Sequence, residues 1–315
     1  MRVCPTCGTT YRGAPARCPL DGCRLESACP DLGLLDGWAL QGVIAEGPLA
    51  TVYRAERDGV AGALKRYRRS ESLRRAWREG GALGRVAHPN VAALLARGLT
   101  EDGEVFVVTE LVRGESLSRI LARSPRLPWL DAAGIASQIA AGLEAIHARG
   151  IVHRDVKPSN LMCAGALVKI LDLGHALALD MGRLTESGLV WGSAPYMSPE
   201  QAAGRPMDRR SDLYSLGVVL HEMLVGRPPF EAKAAVDVMQ MHWTHAPEHP
   251  CSAAPDAEID PRVGDLCTWL MAKHPEARPA SARIVQAILN GVTAQPHAGS
   301  MREHDGGIPC PNGTR

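Results

Sequence analysis

Long apolar runs are missing from this 315-residue chain. No uncharged stretch of about 18 apolar residues occurs, which excludes a conventional membrane-spanning helix from the reading. The opening Met1-Arg2-Val3-Cys4 lacks the apolar core of a signal peptide, so the expectation is a cytoplasmic protein whose thiols stay reduced. An excess of either charge is missing too. Lys and Arg number 35 against 34 Asp and Glu, a net of +1, which gives no reason to make nucleic acid or an anionic membrane the main partner. Aromatics are scarce, with two Phe in the whole chain, so the core must rest on Leu, Val, Ile, Met and Ala. What is present is ordinary globular material, 45% hydrophobic and 22% charged, long enough for two lobes or two modest domains.

Nine cysteines in a reducing compartment need an explanation other than disulfides. Cys4, Cys7, Cys18, Cys23 and Cys29 crowd into the first tenth of the chain. Cys4-Pro5-Thr6-Cys7-Gly8 has the form of a metal-gripping knuckle, and Cys18 with Cys23 supplies a second pair. Four thiolates so placed suit tetrahedral zinc, and a segment this short needs a metal to fold. The second pair is spaced more widely than the first, so Cys29, and more weakly Asp21, stand as substitute ligands. The bland alternative is a disordered Cys-rich leader. Cys163, Cys251, Cys267 and Cys310 have no partners at ligand spacing and read as packing or tail residues.

Downstream, strand-like segments come first. Trp38-Ala39-Leu40, Thr51-Val52-Tyr53 and Ala61 to Lys65 precede Val105-Phe106-Val107-Val108, and Arg57-Asp58-Gly59 predicts a hairpin turn. Ser70 to Ala87 reads as a helix. After Gly114 helices take over. Asp131 is placed to cap one whose Ile135, Ile139, Leu143 and Ile146 share a face, and Ser211 to Leu224 is apolar around most of its circumference, as in a buried helix. This order predicts an α+β protein with a sheet-rich N-lobe and a helical C-lobe.

The chemistry concentrates in His153-Arg154-Asp155-Val156-Lys157-Pro158-Ser159-Asn160. Phosphoryl transfer needs a carboxylate near the accepting hydroxyl, a cation near the transferring phosphate and a ligand for magnesium. Asp155, Lys157 and Asn160 offer these in one short loop. Leu171-Asp172-Leu173-Gly174 follows, with a carboxylate between a short strand and a glycine turn. Any one of these pieces is weak. A lone Asp-Leu-Gly is more often a turn, a lone strand lysine is usually solvated, and a lone histidine is usually structural.

Taken in order, however, they resemble the eukaryotic-like protein kinase family, and bacterial serine/threonine kinases in particular. The resemblance spans residues of about 37 to 290. Ala63-Leu64-Lys65 matches the strand lysine that meets the ATP phosphates, and Glu79 the helix glutamate that holds it. Thr109-Glu110-Leu111-Val112 looks like the gatekeeper and hinge. Gly192 to Gln201 looks like the end of the activation segment, and Asp212 matches the buried aspartate that steadies the catalytic loop. Arg278 is expected to pair with Glu200. The resemblance implies a bilobal kinase fold and places Ala45, Gly47, Ala50, Val52, Ala63, Lys65, Glu110, Val112 and Met162 around ATP. Asp155 would receive or orient the substrate hydroxyl proton, Lys157 would neutralise the γ-phosphoryl group, and Asn160 and Asp172 would hold Mg2+ or Mn2+. His153 would pack and take no part in proton transfer. Lys157 and Ser193 resemble the serine/threonine-specific branch, so the expected partners are protein substrates. Arg154 beside Asp155 implies a phosphorylated activation segment, with Thr185 and Ser187 as candidate acceptors.

The phosphate-covering loop departs from the family pattern. It reads Ala45-Glu46-Gly47-Pro48-Leu49-Ala50-Thr51-Val52 and keeps only the middle glycine. Glycine there lets backbone approach phosphate, and Pro48 deletes an N–H. This opens a competing reading, a pseudokinase scaffold with a weakened nucleotide site, against which every charged catalytic group is retained. The N-terminal segment resembles the zinc ribbons that precede some bacterial kinases. It is basic but holds only Tyr11 as a base-stacking surface, so a regulatory protein is a better partner for it than nucleic acid. The basic run Lys65 to Arg69 reads mainly as a solvated face. The expected organisation is a zinc-ribbon module over 1–29, a linker over 30–36, a kinase domain over 37–290 divided after 112, and a disordered tail over 291–315.

Overall fold

The computed structural model describes residues 34–47, 50–68, 86–100, 104–172 and 194–295, with Arg17 and the backbone of three short strands nearer the N-terminus. Cys4, Cys7, Cys18, Cys23, Cys29, Glu79, Pro48, Leu49, Thr185, Ser187 and Ser193 lie outside the described residues, as does most of the expected Ser70–Ala87 helix. No described helix is long and apolar enough to cross a membrane. The three N-terminal strands, β1 (Arg2–Val3), β2 (Thr10–Tyr11) and β3 (Glu26–Ser27), form an antiparallel sheet in the order β2-β1-β3.

The described chain divides into two compact units. The first is a six-stranded sheet of β4 (Leu34–Leu35), β5 (Trp38–Glu46), β6 (Ala50–Arg57), β7 (Val60–Tyr67), β8 (Leu94–Leu99) and β9 (Val105–Glu110). Its order is β4-β5-β6-β7-β9-β8, with every neighbouring pair antiparallel. Asp58 and Gly59 both take positive φ, +53° and +76°, which is the geometry that a two-residue hairpin between right-twisted strands requires. Alternation then assigns the faces. Ala55, Leu64, Phe106 and Val108 point to one side and, with Leu35 and Trp38, make a buried apolar cluster. Gly62 makes room for it, because a Cβ there would lie 2.6 Å from Val108 and 3.0 Å from Trp38.

The second unit is helical. Its described part runs from residue 86, so Val86 to Ala93 belong with the helices, whereas the sequence reading put them in the N-lobe. Val86 and Ala87 are also not helical, and Pro89 disfavours helix just before it. Burial explains their place, because Val86 and Val91 sit in the helical core. Ala92 N–H donates to Ile170 O at 2.9 Å and Ile170 N–H to Asn90 O at 2.9 Å. A small sheet of β10 (Glu115–Ser116), β11 (Leu161–Ala164) and β12 (Leu167–Ile170) lies in the same unit.

Eight helices are described in this unit. They are α1 (Leu117–Arg123), α2 (Trp129–His147), α3 (Pro199–Ala202), α4 (Arg209–Val225), α5 (Ala235–Thr244), α6 (Pro250–Ala253), α7 (Pro261–Leu270) and α8 (Ala282–Ala294). In α2 the expected face is buried, with Ile135, Ile139, Leu143 and Ile146 in the core. Asp131 is not its cap. The helix begins two residues earlier behind Pro128, and Asp131 sits in the first turn, where a carboxylate favours the positive end of the helix dipole. The α4 helix is buried almost throughout and stops at Gly226, whose φ of +92° is open to glycine at no steric cost. The last helix continues past 290 to Ala294, beyond the expected start of the tail, because Val292 is the next buried residue of its apolar face.

Candidate active site

Sheet register gathers the predicted nucleotide residues of the first unit. Ala45 pairs with Val52, Val52 with Lys65, and Ala50 with Tyr67 across neighbouring strands. Directly paired residues point the same way and residues two apart share a face. Ala45, Ala50, Val52, Ala63 and Lys65 therefore occupy the face opposite the apolar cluster. Lys65 is on an interior strand, flanked by Val52 and Val107, with its Nζ 5.0 Å from the centre of the Tyr67 ring. Sequence reasoning missed Tyr67, although its position two residues after Lys65 was the available signal. Glu110 closes β9 opposite Gly62. At the loop tip Gly47 N–H donates to Ala50 O at 2.9 Å, so the glycine's amide is used to close the hairpin.

The second unit holds the loop that carries Asp155. Lys157 Nζ lies 2.8 Å from Asp155 Oδ2. Asn160 donates its amide to both Asp155 O and Asp155 Oδ2, each at 2.8 Å. Both amide hydrogens thus face Asp155, which leaves Oδ1 as the acceptor end of the Asn160 side chain. Asn160 N–H is itself fixed by Lys157 O at 2.9 Å, and Leu171 N–H by Asn160 O at 2.8 Å. This second bond ties the loop to the residue before Asp172. Met162 follows on β11. Among the described residues, no group of three or more His, Cys, Asp or Glu is arranged to hold a metal ion.

Beneath this loop sits Asp212, 1% exposed. Its carboxylate accepts from His153 N–H, Arg154 N–H and His147 Nε2, all at 2.8 Å. Asp155 and Asn160 lie far from Asp212 in sequence, yet this one side chain holds the start of their loop. His147 was missed. It is the last residue of α2, and nothing in helical spacing tells that it meets α4. His153 is fully buried, with Nε2 2.8 Å from Leu171 O, so it packs as expected. Arg154 and Asp172 take positive φ, +68° and +61°, sparsely occupied by non-glycine residues.

The segment after residue 193 is anchored in the core. Arg278 forms two bonds to Glu200, 2.7 and 2.8 Å, and Ser211 Oγ donates to Glu200 Oε1 at 2.6 Å. Burial opposes the charge on Glu200, but the hydrogen bonds from Arg278 and Ser211 outweigh it and hold the carboxyl below its ordinary range. Nearby, burial and then the Lys273 charge hold His242 down at about 4, so this buried ring is neutral. Burial first, with Glu115 adding to it, lifts the Cys163 thiol to about 11. Cys267 is fully buried and its thiol is raised for the same reason, which fits packing roles for both. In the basic run, Arg66 pairs with Glu104 and Arg68 lies 3.9 Å from Glu46 on an exposed edge.

A curled antiparallel sheet with a lysine on an interior strand, and a helical unit presenting an aspartate, lysine and asparagine on one loop, define the protein kinase class. The family model for the protein kinase domain matches residues 38–289, and the chain belongs to that family. It is 37% identical over 272 residues to the serine/threonine-protein kinase pkn3 of Myxococcus xanthus, covering 81% of this chain and 50% of that protein. It is 32% identical to the probable serine/threonine-protein kinase PknB of Corynebacterium glutamicum, covering 86% of this chain and 44% of the relative. With the serine/threonine-protein kinase PknA of Mycobacterium tuberculosis it shares 35% identity, over 76% and 58% of the two chains. The chain thus spans about half the length of the curated relatives it matches.

Proposed function

We propose that this chain transfers the γ-phosphoryl group of ATP to serine or threonine hydroxyls of proteins. The observation that carries the reading is the Asp155 loop, in which Lys157 and Asn160 both grip the Asp155 carboxylate while Asp212 holds the backbone beneath. Asp155 orients the substrate hydroxyl and takes its proton. Lys157 reaches the transferring phosphoryl group, and Lys65 meets the other phosphates of the nucleotide. Asn160 Oδ1 and the Asp172 carboxylate are hard oxygen donors and fit Mg2+ or Mn2+, which supplies charge neutralisation at the phosphates when bound. Glu79 is assigned to hold Lys65. The names of the relatives support serine/threonine acceptors. The Gly47 amide bonded to Ala50, beside Pro48, points to a looser grip on ATP phosphates than a glycine-rich loop gives.

The test is transfer of labelled phosphate from ATP with magnesium, comparing wild type with Lys65→Met and titrating ATP. Wild type is expected to label itself and a generic protein substrate, with an ATP KM toward the upper end of the usual ~1 μM to 1 mM range. Lys65→Met is expected to fall to background. Site mapping is expected to find phosphate on Thr185 or Ser187, where a dianion would pair with Arg154. Equal background counts in both proteins would favour the pseudokinase scaffold.

The proposal for the N-terminus is a structural zinc held by Cys4, Cys7, Cys18 and Cys23. It is supported by the strands that bracket those cysteines in sequence. In sequence, Cys4 and Cys7 fall between β1 and β2, and Cys18 and Cys23 between β2 and β3. All-thiolate donors suit zinc over harder metals. Elemental analysis is expected to give one zinc per chain. Chelation is expected to unfold this segment without abolishing transfer by the kinase domain, and protein without stoichiometric zinc would refute the assignment. A regulatory protein is the partner proposed for this module.

A further inference from the structure

The two peptides that flank Arg154 are gripped at three points. Asp212 Oδ1 accepts from Arg154 N–H at 2.8 Å, and His153 Nδ1 lies 3.3 Å from Asp155 N. The third grip comes from outside the loop: Gln201 Nε2 donates to Arg154 O at 2.9 Å. Arg154 sits at φ +68°, a conformation that persists in a non-glycine residue only when its surroundings hold both adjoining peptides. Asp212 fixes the peptide before it and Gln201 the peptide after it. The Asp155 side chain hangs directly from that second peptide, so its direction depends on the angle the two grips impose.

Gln201 is well placed to impose one. Its own N–H donates to Ser198 Oγ at 3.2 Å, capping α3, and Pro199 opens that helix. The preceding residue, Glu200, is clamped by Arg278 and Ser211 in the buried core. Gln201 therefore reaches the catalytic loop from a rigid base at the end of the activation segment.

We propose that Gln201 is a positioning residue for Asp155, its side-chain amide holding the strained Arg154 peptide so that the segment after residue 193 sets the aim of the catalytic carboxylate. The inference rests on the kinase reading above. It predicts that kcat depends on a hydrogen-bond donor at position 201 while ATP binding does not.

The experiment compares wild type, Asp155→Asn, Gln201→Leu, Gln201→Glu and Gln201→His in the phosphate-transfer assay, with thermal melts and hydrogen exchange of the segment containing residues 151–157. Leu keeps the volume and removes the donor, Glu replaces the donor with an acceptor facing a carbonyl, and His restores a donor. Gln201→Leu and Gln201→Glu are expected to lose about 10- to 100-fold in kcat, the scale of a small misplacement of a reacting group. Their KM for ATP and melting temperature should match wild type, and exchange at 151–157 should speed up. Gln201→His should recover much of the loss. Wild-type kcat in Gln201→Leu, or losses that track the melting temperature and do not recover in Gln201→His, would overturn the proposal while leaving the kinase reading intact. A wild type no more active than Asp155→Asn would overturn the kinase reading and this inference with it.

Discussion

Replacing Asp155 with Asn is expected to lower kcat by about 10²- to 10⁴-fold, the usual contribution of a positioned general base. The change isolates the chemistry because the surrounding geometry can survive it. Asp155 Oδ2 accepts from Lys157 and Asn160 at 2.8 Å each, and an amide oxygen in its place can accept from both. Asp155 N and O keep their partners, His153 and Asn160. What is lost is the negative charge and the capacity to take a proton. The melting temperature and ATP binding should therefore stay near wild type while turnover collapses. Turnover in the variant equal to a measurable wild-type rate would remove Asp155 from the chemistry.

Replacing Arg278 with Met is expected to be the most destabilising single change, costing about 3–5 kcal/mol, because it leaves the Glu200 carboxylate buried without its partner. Arg278 is 3% exposed and Glu200 6%, and the guanidinium also donates to Arg210 O, Ala272 O and Lys273 O. Against a total stability of about 5–15 kcal/mol, most of the molecules should unfold at a modest urea concentration. Glu200→Leu together with Arg278→Met should recover part of the loss, since no isolated charge then remains. The pair also sets a pH dependence. The Glu200 carboxyl is lowered in the folded state from its ordinary value of 4.5, so the folded protein holds fewer protons than the unfolded chain in that range. Its stabilisation is fully present above about 4.5 and is lost as pH falls through the lower folded value. A urea midpoint that is flat between pH 6 and 3 in wild type would contradict this account.

Much of the site was legible in the residues because phosphoryl transfer demands particular side chains at short spacing. Asp155, Lys157 and Asn160 lie within one loop, so sequence proximity and spatial proximity coincide. The pairing of Glu200 with Arg278 was legible through resemblance, and the buried face of α2 through its period of apolar residues. Other features were hidden by the same logic. Gln201 meets the loop, and His147 the Asp212 carboxylate beneath it, from other elements and through one hydrogen bond each, and no local pattern marks such a donor. The end of the last helix was misplaced because the residues from Gly291 onward, rich in Gly, Pro and His, show no apolar period, whereas burial of Val292 carries the helix to Ala294.

The sequence by itself determined the chemistry available to this protein, since a carboxylate, two lysines and an asparagine amide in kinase order are the groups that phosphoryl transfer calls for. It also showed where the chain departs from the family pattern, a phosphate-covering loop with alanine at two of the three usual glycine positions and Pro48 at its tip. Tertiary structure alone decided how the parts are held. Strand register put Val52, Ala63 and Lys65 on one face, Asp212 drew three donors beneath the catalytic loop, and Gln201 fixed the peptide that aims Asp155. The physical reason is one of range. Side-chain chemistry and periodicity are local properties that a linear chain displays, whereas a hydrogen bond between residues 47 to 65 positions apart exists only once packing has brought their elements together.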